Sequence, residues 1–241
     1  DGPRLTECLA HVDAIFQHVC GRLLAADGPV TDSTWAAMLD QMPESGQPDM
    51  PAPSLRRHMG LIGPFIAVVE SALQHETATR RFSPRAAWAL FRMATALRDM
   101  RTTVSLPRLG GELDLTLMSA VALEQDDPAL QPLFRRYLAS WLYRKSLLAR
   151  PTLVEAYRAF LSTLMLARWY AAAIAVRSRS RRVTEHHLVR AIQLVENYYV
   201  LHHDLYQTLI RFSVIRSLVT LQWNAQKDGR ALIASPFTGA D

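Results

Sequence analysis

Arg168 is a charge placed where a helix is otherwise apolar. It lies between Ala167 and Trp169 in a run whose other members include Leu161, Leu164, Met165, Ala171 and Ile174. A guanidinium so placed is costly unless it is paired. On the next helical run Glu196, Val200, His203 and Gln207 fall at i, i+4, i+7 and i+11, with Tyr199 beside that stripe and Asp204 adjacent to it. The flanking stripes are apolar: Ile192, Val195 and Leu209 on one side, Leu201, Leu205 and Phe212 on the other. A glutamate and a histidine there can answer Arg168 across a helix pair. Two kinds of chemistry fit. One is an internal ion pair that fixes helix register; the other is a polar interior site for a ligand, built from Arg168, Glu196, Tyr199, His203 and Gln207.

Other constellations carry less. Glu7, His11 and His18 share one stripe of the first helix and are metal-capable in principle, but the stripe flanks an apolar face and is expected to meet solvent. No metal site is assigned. Asp126-Asp127 resembles half of a magnesium-binding acidic pair, yet Pro128 follows and no second acidic cluster faces it, so a turn and helix cap is expected. Arg177, Arg179, Arg181 and Arg182 crowd the end of a long helix, where its dipole favours cations. Nucleic-acid binding would call for interleaved aromatics, and that run has none. There is no glycine-rich phosphate loop, no G-x-S-x-G, no H-E-x-x-H, no paired C-x-x-C and no Glu-x-x-His.

The elements that must position these groups read as helices. Leu5, Leu9, Val12, Phe16, Val19 and Leu23 recur at steps of three and four and predict an amphipathic first helix, ended by Gly28-Pro29. Thr31 or Asp32 caps a short second helix to about Leu39. Residues 44–54 hold three prolines and a glycine and predict a loop. The next helix, Leu55 towards Thr79, is expected to break near Gly60–Pro64. Ser83-Pro84 starts another, to about Thr102, and Pro107–Glu112 with Gly110-Gly111 predicts a second loop. Three long helices follow: from Asp126-Asp127-Pro128 to Leu148, from Pro151-Thr152 to about Val176, and from Thr184 past Leu221. No alternating run is bounded by Asn-Gly or Asp-Gly turns. The expected fold is all-α, a multi-helix bundle with long antiparallel C-terminal helices joined by short connections. One helical domain over 1–241 is expected, with 1–111 and 112–226 as its subdivision and 227–241 as a tail.

Composition bounds the function. The chain has 241 residues, 49 % of them hydrophobic and 20 % charged, enough to bury a core without metal or disulfide support. Residues 1–127 hold 11 Lys/Arg against 16 Asp/Glu, a net −5; residues 128–241 hold 16 against 6, a net +10. Only two of the 27 basic residues are lysine. Arginine's planar fork suits carboxylates, phosphates and aromatic faces. The basic half can therefore meet an acidic protein, nucleic acid or an anionic ligand, or dock on the acidic half. Cys8 and Cys20 lie roughly 18 Å apart on one helix, too far to bridge each other. A reducing, cytoplasmic setting is expected. Asp1 reads as a cut. The greasiest stretch, Leu153–Val176, contains Glu155, Arg158 and Arg168, so a buried helix is expected there and no membrane span.

Residues Leu133–Phe212, about a third of the chain, resemble the C-terminal region of the bacterial flagellin lysine-N-methylase family. The resemblance is carried by Arg136-Tyr137-Leu138 through Trp141-Leu142-Tyr143-Arg144, by Leu166-Ala167-Arg168-Trp169-Tyr170, by Val183-Thr184-Glu185 with Val189-Arg190-Ala191-Ile192-Gln193, and by His202-His203-Asp204. It implies methyl transfer from S-adenosylmethionine to lysines of flagellin in the cytoplasm, with Arg168 and His203 carried over as positions without an assigned role. It also implies a cysteine-rich segment holding an iron–sulfur cluster or zinc. Cys8 and Cys20 cannot supply such a cluster, so either that segment has been cut away before Asp1 or this chain is a relative that never had it. A second function fits the residues: a non-catalytic helical interaction module that holds an acidic protein partner through its basic C-terminal half.

Overall fold

The computed structural model describes residues 55–75, 84–121, 123, 127–144 and 153–200, and individual positions between 7 and 41. The described chain is mostly helical: α1 Leu55–His75, α2 Pro84–Asp99, α3 Gln131–Tyr143, α4 Leu153–Arg177 and α5 Glu185–Val195, with one small hairpin, β1 Thr103–Leu106 and β2 Gly111–Asp114. Positions 7, 10–15, 18, 19 and 22 are helical, as the N-terminal periodicity requires. Cys8, Cys20, the proline-rich loop at 44–54, Asp126, His203, Gln207 and the tail from 227 lie outside the described residues.

Two short strands qualify the all-α expectation, and the loop expected over Pro107–Glu112 is the turn between them as far as Gly110, with Gly111 and Glu112 in the second strand. Val104 and Leu106 alternate with exposed Thr103 and Ser105, and Leu113 and Leu115 alternate with Glu112 and Asp114. That is the period of a half-buried strand. The pairing runs antiparallel from Thr103↔Asp114 to Leu106↔Gly111. It escapes a search for Asn-Gly or Asp-Gly because the turn is a 3-10 turn over Pro107–Leu109, closed by Gly110 at φ 77°. Glycine takes that left-handed geometry at no steric cost.

α1 is also continuous where a break was expected, with Pro64 inside it. An interior proline costs roughly 3 kcal/mol. The same helix buries Met59, Ile62, Phe65, Ile66 and Val69. At about 1.5–3 kcal/mol for each such side chain, their burial outweighs the kink. Gly63, just before the proline, faces α2, where a Cβ would make ordinary contact with the Leu97 Cβ at 3.5 Å. α2 ends at Asp99, earlier than expected, because Met100 turns left-handed at φ 52°.

α4 is the centre of the core. Every residue from Ala159 to Ala175 is buried. Its apolar stretch is long enough to cross a bilayer, but 89 % of it is buried inside the protein. α4 packs chiefly against α5, and α1 against α2. One apolar cluster runs from Met59 through the hairpin to Val195. After Val195 the helix widens into a π-helical turn, Glu196–Val200. Asp127 caps the turn into α3, its carboxylate accepting from the Ala129 N–H at 2.9 Å.

Candidate functional site

The π turn brings two tyrosines to an acid buried in α1. The Tyr199 and Tyr170 hydroxyls lie 2.8 Å apart, and the Tyr170 hydroxyl donates to Glu70 Oε1 at 2.9 Å. The other carboxylate oxygen of Glu70 accepts the backbone N–H of Arg108, in the hairpin turn, at 3.0 Å. The Arg108 guanidinium stacks over the Tyr198 ring, 3.9 Å from its centroid. Four pieces of chain (α1, the hairpin, α4 and the π turn) therefore meet on one carboxylate. π turns are frequent at functional positions.

Glu70 and Tyr170 are completely buried. Burial raises the Glu70 pKa above its ordinary value, against the Arg108 N–H, the Tyr170 hydroxyl and the Arg108 charge, which lower it. Burial likewise pushes Tyr170 well above the phenol range, with Tyr199 and Glu70 adding to it. Burial raises Tyr199 too, the Tyr170 hydrogen bond opposing. With Glu70 ionised, donation must run Tyr199 to Tyr170 to Glu70. This hydrogen-bonded chain can hold a proton at the carboxylate.

The sequence-predicted residues divide among three places. Tyr199 belongs to the Glu70 cluster. Arg168 is completely buried in α4, its guanidinium 5.8 Å from the Phe134 ring of α3. Glu196 does not answer Arg168: its Oε2 accepts from Arg144 Nη1 at 2.5 Å. Beside it, burial holds the Tyr137 hydroxyl well above the phenol range, Trp141 opposing and Glu196 adding. His203 and Gln207 lie outside the described residues. Glu70, Tyr170, Arg108 and Tyr198 were missed. Glu70 carried the same signal as Arg168, a lone charge after Ile66-Ala67-Val68-Val69. Among the described residues no three histidines, cysteines or acids gather as a metal site.

A second assembly sits on the surface. α4 ends in a Schellman turn: Ser180 N–H donates to the Ala175 carbonyl and Arg179 N–H to the Val176 carbonyl, each at 2.9 Å. The left-handed position of that motif, φ 59°, is held by Arg179, where glycine is the usual residue. Arg177, Arg179, Arg181, Arg182 and Arg190 are exposed around it. Arg177 donates to the Gly110 carbonyl at 3.2 Å, and Arg182 reaches Asp127 at 3.6 Å. His187 ties the turn together from within. Its Nδ1 accepts the Thr184 N–H at 3.1 Å, so the neutral ring carries its proton on Nε2, 2.9 Å from the Ser178 hydroxyl.

Gly110-Gly111 is the one glycine pair of the described chain, and the Arg177 guanidinium occupies the space beside it, 3.4 Å from where a Gly111 Cβ would stand. No known protein family, curated protein or solved structure matches the chain.

Proposed function

We propose that this chain is a non-catalytic helical interaction module that binds an acidic protein segment through the arginine turn after α4. One observation carries the reading: Arg179 holds a left-handed backbone position that glycine would hold more cheaply. A non-glycine residue there costs roughly 1–2 kcal/mol, and such strain is concentrated where function uses the side chain. Arg181 and Arg190, also exposed, supply further forks for carboxylates. The short connection from Ser178 to Thr184 favours antiparallel α4 and α5, and with them the helical bundle that holds the turn rigid. A fluorescent glutamate-rich peptide titrated with the protein is expected to bind, more weakly as salt rises. Arg179→Ala, Arg181→Ala and Arg190→Ala should each lower the affinity several-fold. Absence of binding, or affinity indifferent to all three, would overturn the proposal.

The Glu70 cluster favours a second reading, the lysine N-methyltransferase-like one that the family resemblance implies. A buried carboxylate with a raised pKa among phenols can take the proton that a lysine ammonium must lose before its nitrogen attacks a methyl group. In that reading the protein acts on flagellin in the cytoplasm with S-adenosylmethionine, and an iron–sulfur cluster enters only with an upstream cysteine-rich segment. Calorimetric titration with S-adenosylmethionine separates the readings: no complex is expected from the interaction module, and a tight one-to-one complex would favour the enzyme.

A further inference from the structure

The half of the chain with net negative charge contains a strongly basic stretch. Residues 80–101 hold six arginines against one acid, Asp99. α2 spans most of it, and its outward stripe reads Arg85, Trp88, Phe91, Arg92 and Arg98, all exposed. Its opposite side carries the fully buried Leu97 and packs on α1. Trp88 and Phe91 are 61 % and 59 % exposed, the two most exposed large apolar side chains of that helix. Their rings stack on each other at 5.7 Å and 22°, forming one continuous aromatic ridge. Arg98 is held by the neighbouring Asp99 at 3.1 Å, which leaves Arg85 and Arg92 as the charges nearest the ridge.

We propose that this face of α2 seats the protein on an anionic lipid bilayer, with the Trp88–Phe91 ridge entering the headgroup boundary and Arg85 and Arg92 meeting lipid phosphates. Charge complementarity selects an anionic occupant, since the stripe carries no acid before Asp99. Shape selects a surface over a peptide: the ridge stands out from a single helix, and a peptide wants a groove to lie in. Tryptophan and phenylalanine beside long basic side chains are the residues that interfacial helices place at that depth. Because the stripe follows one side of α2, the helix axis lies parallel to the bilayer and all four side chains reach it together. The site is separate from the arginine turn, and its test does not depend on that proposal.

The test is sedimentation of the full chain with vesicles of neutral phosphatidylcholine, and with the same lipid containing about a third phosphatidylglycerol, at low salt. The protein is expected to partition at least several-fold better onto the anionic vesicles, with the advantage lost at high salt. Trp88→Ala with Phe91→Ala, and separately Arg85→Glu with Arg92→Glu, should each lower the partition about tenfold while leaving the circular dichroism spectrum unchanged, since all four side chains are exposed. Equal partition onto both vesicles, or anionic binding that survives either double substitution, overturns the proposal. Capture of the glutamate-rich peptide that requires Trp88 and Phe91, without vesicle binding, would assign the ridge to an acidic protein instead.

Discussion

Arg168 and Glu70 are the two charges that the described core closes over completely, and they stand on different helices with different surroundings. Arg168 was legible from sequence because a single arginine interrupts an apolar helix; its surroundings were not, because the aromatic neighbour comes from α3, a helix that sequence spacing does not relate to it. Truncating a buried charged side chain leaves a cavity and unmatched polar atoms, at a cost of about 3–5 kcal/mol. Arg168→Ala should therefore lower the melting temperature by on the order of ten degrees. Arg179→Ala keeps the same backbone penalty and should melt like the wild type, within a degree or two. Equal melting of the two variants would contradict the burial argument. Glu70 makes a pH prediction. Its folded pKa is raised, so the folded state holds the proton more firmly than the unfolded chain, and stability falls as pH rises from the ordinary 4.5 through the raised value. Thermal melts of Glu70→Gln against wild type from pH 4 to 8 should show that slope in the wild type only; parallel curves would mean that Glu70 is not desolvated.

At the scale of elements, the hairpin and the clasp that His187 of α5 makes with Thr184 and Ser178 show where sequence periodicity succeeds and where it stops. The alternation of Val104 and Leu106, and of Leu113 and Leu115, was present in the sequence, but strands of four residues fall below what a helical reading notices. The turn chemistry, proline first and Gly110 last, differs from the two-residue turns that advertise a hairpin. Pro64 misled in the opposite direction, since its local cost is overridden by burial that only the fold reveals. Thr184 was legible as a cap; the histidine three residues later was not, because its second contact, Ser178, lies across the turn. His187 has a lowered pKa, from burial first and the His186 charge second. A histidine that is harder to protonate when folded contributes stability above the ordinary 6.5, and that contribution is lost as pH falls through the lowered value. Protonation also places an N–H against the Thr184 N–H. Stability is therefore expected to drop as pH falls below the ordinary 6.5, and His187→Gln should flatten that drop. An unaltered acid limb in His187→Gln would remove the clasp from the account.

On the scale of the whole molecule, the described chain gathers its apolar residues around α4 and groups exposed arginines at the turn after α4 and on the outer face of α2. The charge asymmetry pointed to the first from composition alone, and the local excess over residues 80–101 would have pointed to the second had it been counted separately from the acidic half around it. Which arginine matters was invisible to composition, because a left-handed φ at Arg179 is a property of the helix end and not of residue type. In the proposed reading, position 179 joins fold and function. Replacing Arg179 by glycine relieves the left-handed strain and should stabilise the chain by roughly 0.5–1 kcal/mol, raising the melting temperature by about 1–4 degrees. If the arginine is kept for its charge, the same substitution must weaken the binding of a glutamate-rich peptide. The decisive measurement takes both readouts on Arg179→Gly: a higher melting temperature with a several-fold lower peptide affinity is the expected result, and a higher melting temperature with unchanged affinity would contradict the account.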